Sequence, residues 1–274
     1  MTETQDVPVS GEPASRDARP VSGPVIVLTY AHAGVELLMP VLGASSSLAC
    51  TFGSGLLPLC HSAAATWKVV EKQDLSLSAL AIKSIRSLAG VMNAVILADA
   101  GASRWCEVAF AGMEQAETFM QLFPTATCLC LHRSLEGVLD EAVTAYPWGL
   151  GGSPLWSYSG THPGNTAAIA AAYWIAHTEP LLAFEAKYPQ SCRRLRAEDL
   201  SVDLFQQAKE IFDFLGLDAR DLAVLREPHA TLSPAEAGDV TRATAIPVGK
   251  IPAHLLAKAS GLHADLGYAP WPPT

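Results

Sequence analysis

The chain has 274 residues, with 18 Lys and Arg against 27 Asp and Glu, a formal net charge of −9 at pH 7. This length supports one large α/β domain or two small ones, and a hydrophobic content of 50% excludes fibrous and wholly disordered chains. The negative charge argues against general binding of nucleic-acid phosphates, although it allows a small anionic ligand. The six Cys residues show no paired CxxC spacing, which indicates a reduced intracellular chain without a metal site.

Residues 1–22 mix acids, bases and prolines and contain no apolar run of signal-peptide length. We predict a disordered tail over 1–22 and a single domain over 23–270. The most apolar stretch, 24–50, is interrupted by polar residues, Pro and Gly, which a bilayer-spanning helix would tolerate poorly. We therefore expect a cytoplasmic protein that does not bind membranes.

The first predicted element is a strand, the apolar run Val25–Tyr30. Its lack of alternation is typical of a strand buried on both faces of a parallel sheet. A turn of small residues over 31–34 follows, and a helix begins at Val35. Two further helices are predicted over roughly 56–72 and 75–98. The chain therefore opens with strand, tight turn and helix.

The middle and end of the chain repeat this alternation. The segment 147–164 is rich in Trp, Gly and Pro, and we interpret it as an ordered loop over a pocket. Such an alternation predicts an α/β fold, a three-layer α/β/α sandwich around a mostly parallel sheet. The remaining predicted elements are a helix over 114–122, a strand over 126–131, helices over 134–144 and 165–187, a strand over 192–196, and helices over 202–215 and 251–266.

The turn between the first strand and the first helix is the first candidate for chemistry. Backbone N–H groups and the positive end of the helix dipole converge there, an arrangement that suits a phosphate or sulfate. Neither the Walker pattern nor the Rossmann glycine pattern is present, which disfavours an ordinary nucleotide hydrolase or dehydrogenase. Arg133 follows the second predicted strand, at the sheet edge where ligands bind in open α/β folds.

Several motifs occur in a characteristic order along residues 24–268. They are VIVLTYAHAGVELLMPVL at 25–42, RWCE at 104–107, LFP with the strand to Arg133 at 122–133, LRAEDL at 195–200, IFDFLGL at 211–217, and VGK with LGY at 248–268. In this order they resemble the sulfotransferases that use 3′-phosphoadenosine 5′-phosphosulfate (PAPS), particularly the bacterial and the carbohydrate- or protein-tyrosine-type branches.

The resemblance implies a P-loop-like sulfotransferase fold and an enzyme that moves a sulfuryl group from PAPS to a hydroxyl of a small-molecule acceptor, in specialised metabolism. In such enzymes a His or Glu deprotonates the hydroxyl, while basic groups and N–H donors neutralise the sulfuryl oxygens. A homodimer is one assembly that we consider. The implied cofactor-binding residues are Ala33, Gly34, Val35, Arg133 and Lys250.

The implied catalytic candidates are His32, Glu36 and His61. Trp148, Trp156 and Tyr158 are the candidate substrate-binding residues, because the aromatic loop would enclose a compact and partly apolar acceptor. The structural alternatives are a surface position for a histidine, a helix-capping role for the glutamate, and simple packing for the aromatic side chains.

Some residues depart from the pattern of the family. His32 stands where the family has Arg or Lys, Val35 where it has Ser or Thr, and Val108 where it often has Lys. Glu141 replaces a Ser eight residues beyond Arg133. Because these changes remove cations and hydroxyls and add a carboxylate, two alternatives stay open. One is an enzyme on the same fold that no longer uses PAPS and catalyses another group transfer, hydrolysis or rearrangement, and the other is a non-catalytic binding protein.

Overall fold

The computed structural model describes residues 23–72, 76–110, 112–146, 148–226 and 248–269. The tail predicted over 1–22 lies outside these residues. The strands are β1 (Val25–Leu28), β2 (Leu48–Phe52), β3 (Arg104–Ala109), β4 (Thr127–His132) and β5 (Cys192–Arg196). The helices are α1 (Val35–Gly43), α2 (Leu56–Glu71), α3 (Ala79–Ala100), α4 (Met113–Leu122), α5 (Leu135–Ala145), α6 (Thr166–Lys187), α7 (Ala197–Val202), α8 (Leu204–Leu215) and α9 (Ala253–Asp265). Short 3-10 helices span Pro154–Tyr158, Ala219–Arg226 and Val248–Lys250.

The five strands form one parallel sheet in the order β2-β3-β1-β4-β5. The central strand β1 pairs with β4 so that Leu28 lies opposite Cys130. This register brings the residues that follow the two strands to the same edge of the sheet. The loop after β1 and the loop after β4 are therefore neighbours.

Both faces of the sheet are covered by helices. In β1, Ile26 and Leu28 pack into the core formed with α2 to α6 and α9, whereas Val25 and Val27 pack into the core formed with α1, α7 and α8. Successive side chains of a strand point to opposite faces, so an unbroken apolar run is what such a strand requires. The predicted three-layer α/β/α fold is confirmed.

Two strands, β2 and β3, were not predicted. The pattern of β3 is interrupted by Arg104 and Glu107, which are nevertheless buried. The Arg104 guanidinium donates to the carbonyl oxygens of Gly23 and Leu215 at 2.7 and 2.6 Å. The Glu107 carboxylate accepts from the backbone N–H of Ser54 at 2.8 Å. Because their polar groups are paired, these side chains are compatible with an interior strand.

The helix predicted over 202–215 is α8, and a short helix that was not predicted, α7, precedes it. α7 ends at Val202, and the Asp203 side chain caps α8 by accepting from the N–H of Gln206 at 2.9 Å. A carboxylate at this position competes with the continuing helix for backbone N–H groups, and so starts a new one.

Within the described residues, α3 is the one helix long and apolar enough to cross a membrane by length and composition. Only 17% of its most apolar window is buried, and Leu80, Val91 and Val95 are exposed. One such helix is weak evidence for a membrane span. The cytoplasmic location stays a prediction.

Candidate functional site

The loop between β1 and α1 contains two residues in the left-handed backbone conformation. The backbone φ is 67° at His32 and 84° at Gly34, and the N–H of Ala33 closes the turn on the Tyr30 carbonyl at 3.2 Å. A Cβ on Gly34 would lie 2.8 Å from the Cβ of Ala197. Gly34 is therefore required both by the backbone conformation and by the close approach of α7.

This loop leaves backbone donors free at the start of α1. Among the described residues, no acceptor forms a hydrogen bond with the N–H of Gly34 or Val35. Together with the positive end of α1, these groups form a concave set of donors. We call residues 30–36 the donor loop.

Arg133, directly after β4, lies beside the donor loop. Its side chain is 3% exposed, and its Nη1 donates to the His32 carbonyl oxygen at 3.3 Å. Its backbone is fixed by Tyr30, whose hydroxyl contacts both the N–H and the carbonyl oxygen at 3.2 Å, and by Trp174, whose Nε1 donates to the same carbonyl at 2.8 Å. The guanidinium is therefore held in a set position.

Gly137 gives the Arg133 side chain its space. A Cβ on this residue, in the first turn of α5, would lie 2.5 Å from Nε and 2.9 Å from Cγ of Arg133. The sequence contains no signal for this role apart from the four-residue spacing, which places Gly137 about one helical turn beyond the arginine.

Glu141 bonds both His32 and Arg133. One carboxylate oxygen accepts from His32 Nδ1 at 3.0 Å, and the other forms an ion pair with Arg133 Nη1. Burial alone would raise the pKa of Glu141, but the His32 hydrogen bond and the charge of Arg133 outweigh it and hold the pKa below its usual value. Nε2 of His32 and Nε of Arg133 are buried and unpartnered in the described part of the chain.

Glu36, in the first turn of α1, adds a second carboxyl group. Burial raises its pKa, as does the negative charge of Glu141, whereas its own backbone N–H, Arg133 and His32 act in the opposite direction. Glu36 therefore holds a proton more readily than an exposed glutamate does. His32, Glu36, Arg133 and Glu141 together form the donor-site cluster.

The start of α5, next to Arg133, is also occupied by the protein's own groups. The N–H of Ser134 donates to Glu198 Oε1 at 2.9 Å, and the N–H of Leu135 donates to His263 Nε2 at 3.3 Å. The Tyr268 hydroxyl donates to the other oxygen of Glu198 at 2.7 Å. The Glu198 carboxylate thus lies where an external anion would meet the start of α5.

A cavity of about 470 Å³ opens beside the donor loop. Its wall includes Thr29, Tyr30 and Ala31 at the end of β1, and the Tyr173 hydroxyl donates to the Ala31 carbonyl at 3.3 Å. The other sides are formed by Phe110 and the start of α4, by the 3-10 helix Pro154–Tyr158, and by α6. Its volume suits a compact small molecule.

Of the three aromatic candidates for substrate binding, one lines this cavity and two do not. Tyr158 lines it, with its ring 5.8 Å from that of Tyr173. Trp156 and Trp148 are 56% and 99% exposed and lie outside the lining. The segment 148–164 therefore contributes one of its three aromatic candidates to the cavity wall.

His61 and Lys250 lie apart from the donor-site cluster. His61 Nδ1 bonds the Thr118 hydroxyl at 3.0 Å, in the contact between α2 and α4. Lys250 is exposed, and its carbonyl oxygen accepts from Asn165 at 2.7 Å, at the start of α6. Neither side chain contacts His32, Glu36 or Arg133 within the described structure.

Three solved structures match nearly the whole described architecture. The sulfotransferase domain of the Synechococcus PCC 7002 olefin synthase is 17% identical, with a TM-score of 0.53 over 90% of this chain and 96% of that one. Sulfotransferase STF9 from Mycobacterium avium is 11% identical, with a TM-score of 0.51 over 90% and 76%. Sulfotransferase STF1 from Mycobacterium tuberculosis H37Rv is 16% identical, with a TM-score of 0.50 over 88% and 77%.

The chain has the sulfotransferase fold. No protein-family model and no curated protein matches the sequence. At 11–17% identity the solved structures establish the architecture alone. The sulfotransferase fold accounts for the position of the donor loop and Arg133, while the site chemistry depends on this chain's own residues.

Proposed function

We propose that the chain is a sulfotransferase-type enzyme that transfers a sulfuryl group to a hydroxyl of a compact small-molecule acceptor. The observation that carries this proposal is the donor loop with Arg133, which adjoins a cavity of about 470 Å³ on a sulfotransferase fold. One part of this arrangement suits an anionic group, and the other suits a compact and partly apolar molecule.

Residues of the donor loop and Arg133 would have different roles in such a transfer. The N–H groups of Gly34 and Val35 would stabilise negative charge on the sulfuryl oxygens, because they are fixed before the reaction and need no reorganisation. Arg133, once released from Glu141, would add a full positive charge to the same position. Placing donor and acceptor side by side would supply most of the remaining rate enhancement.

The donor-site cluster does not fit PAPS in this arrangement. PAPS carries several negative charges on its phosphosulfate and 3′-phosphate, whereas the cluster offers Arg133 and His32 against the carboxyl groups of Glu36 and Glu141. The side chains of Arg133 and His32 are both already bonded to Glu141. We therefore assign no catalytic step to PAPS.

A second candidate function follows from the position of the Glu141 carboxylate. Glu141 neutralises the cations that a phosphorylated donor would need, which favours an enzyme on this fold that transfers another group or uses another donor. The unpartnered Nε of Arg133 favours the first candidate, because a buried donor that has no acceptor among the described residues indicates a missing one.

Calorimetry with adenosine 3′,5′-bisphosphate tests whether Glu141 excludes a phosphorylated donor from the site. We expect the wild-type protein to bind it weakly, with a dissociation constant near or above about 1 mM, and Glu141→Ser to bind at least about tenfold more tightly. The control is Glu210→Ser on α8, which removes the carboxylate that pairs with Arg193 of β5, away from the site. This control should bind like wild type.

Each calorimetric result selects one interpretation. Tight binding to wild type, together with transfer of labelled sulfate from PAPS to a phenol, would establish PAPS as the donor. Binding that appears only in Glu141→Ser would favour another donor. If no variant binds the bisphosphate, Glu141 is not the group that excludes a phosphorylated donor, and the non-catalytic alternative gains support.

A further inference from the structure

His177 lies on α6 and lines the cavity beside the donor loop. Its ring is 4.2 Å from that of Tyr173 and 6.0 Å from that of Tyr30, measured between centroids. Since the Tyr173 hydroxyl bonds the Ala31 carbonyl, His177 and the donor loop belong to one continuous wall. We propose that His177 is the catalytic base of this cavity and takes the proton of a phenolic or alcoholic hydroxyl.

The hydrogen bonding of the ring fixes which nitrogen is basic. Nδ1 lies 2.8 Å from the Tyr173 carbonyl oxygen, one helical turn earlier. A carbonyl oxygen only accepts, so Nδ1 carries the proton in this contact. Nε2, at the outer end of the ring, is then an unprotonated acceptor, and it makes no hydrogen bond within the described residues. This is the tautomer that a general base requires.

The surroundings keep the ring neutral. Burial lowers the pKa of His177, and the bond to the Tyr173 carbonyl opposes this effect only in part. The titratable groups that face it are Tyr30 from the end of β1, Tyr158 from the 3-10 helix, Tyr173 from α6 itself, and Glu114 from α4. The pKa values of the three tyrosines are raised, so they stay neutral alongside the imidazole.

The proposed transfer involves the acceptor hydroxyl, an activated sulfuryl donor, His177 and water. The acceptor O–H proton moves to Nε2 while its oxygen electron pair forms a bond to the sulfur of an activated sulfuryl donor, an ester or anhydride. The bond from sulfur to the leaving oxygen breaks, and its electron pair stays with that oxygen. The imidazolium then returns its proton to water. This step rests on the proposed function, whereas binding of the hydroxyl to Nε2 does not.

Two measurements test the assignment separately. Long-range nitrogen–proton NMR should find His177 neutral at pH 7 with the proton on Nδ1, and added phenol should shift Nε2. Protonation on Nε2, or no shift with phenol near about 10 mM, would overturn the proposal.

Kinetics of sulfuryl transfer from an aryl sulfate ester, 4-nitrophenyl sulfate, to phenol provide the second measurement. His177→Asn keeps an amide N–H for the Tyr173 carbonyl but lacks Nε2, so kcat should fall by about 10²–10⁴-fold with little change in KM. The rise of kcat with pH should disappear as well. His254→Asn, at an exposed position on α9, is the control. Retention of kcat in His177→Asn would refute the proposal, and wild-type inactivity with a normal NMR result would count against the proposed function only.

Discussion

In the donor-site cluster, Arg133 forms an ion pair with Glu141 and packs against Gly137. Arg133 was predictable because it ends a buried strand, and Glu141 was visible as a departure eight residues later. Glu141 bonds both Arg133 and His32 in the structure. These contacts depend on how α5 is placed, and the sequence did not predict them. Gly137 carries no motif, and only the packed Arg133 side chain shows its role.

Replacing Gly137 by Ala tests how tightly Arg133 is held. The new Cβ would overlap the arginine side chain, so we expect a loss of about 1–3 kcal/mol in the free energy of unfolding, measured with urea. Gly90→Ala is the matched control, because a Cβ added to this helical glycine of α3 would have no atom within 4 Å, and the variant should gain about 0.5–1 kcal/mol. Equal effects at the two glycines would contradict the packing role.

At the level of elements, sequence patterns predicted β1, β4 and β5 but missed β3. The apolar run 25–30 indicates a buried strand without ambiguity, whereas Arg104 and Glu107 interrupt the pattern of β3. Their burial depends on acceptors and donors that lie far away in sequence, such as Leu215 and Ser54. A local pattern cannot report such partners, which is why β3 required the structure.

Arg104→Met should destabilise the sheet because the acceptors of the Arg104 guanidinium would lose their hydrogen-bond donor. Two carbonyl oxygens and the Thr127 hydroxyl would lose their donor inside the fold, so we expect a loss of about 3 kcal/mol in the free energy of unfolding. Arg220→Met removes an exposed guanidinium that pairs with Asp218 and should leave the urea midpoint unchanged. Similar midpoints for both variants would show that the buried arginine is dispensable.

At the level of the whole molecule, the C-terminal helix is tied to the site through a neutral histidine. His263 of α9 is 2% exposed, and its Nε2 accepts from the first backbone N–H of α5. Burial lowers its pKa from 6.5 to about 4, with Glu198 acting in the opposite direction. The sequence predicted this helix through its periodicity, but not the contact that its histidine makes.

The acid stability of the protein should depend on that histidine. Since the folded pKa lies below the unfolded one, the unfolded chain binds more protons between about pH 4 and 6.5, and stability falls as the pH drops through this window. The contribution at the lower limit is about 3 kcal/mol. His263→Gln, which keeps an acceptor, should lose less stability from pH 6.5 to 4 in urea titrations. Parallel pH profiles of the wild type and the variant would rule out this role for His263. Glu36 and Glu136, whose pKa values are raised, titrate in both proteins and therefore cause no difference between the two profiles.

The strand order has a consequence that no single side chain determines. From the central strand the chain leaves towards β2 through α1 on one face of the sheet, whereas β4 continues towards β5 through helices on the other face. The two connections diverge, and a crevice opens between the strand ends at this topological switch point. We therefore expect a ligand to bind at this crevice, and replacements among the surrounding residues would then alter what is bound without moving the place where it is bound.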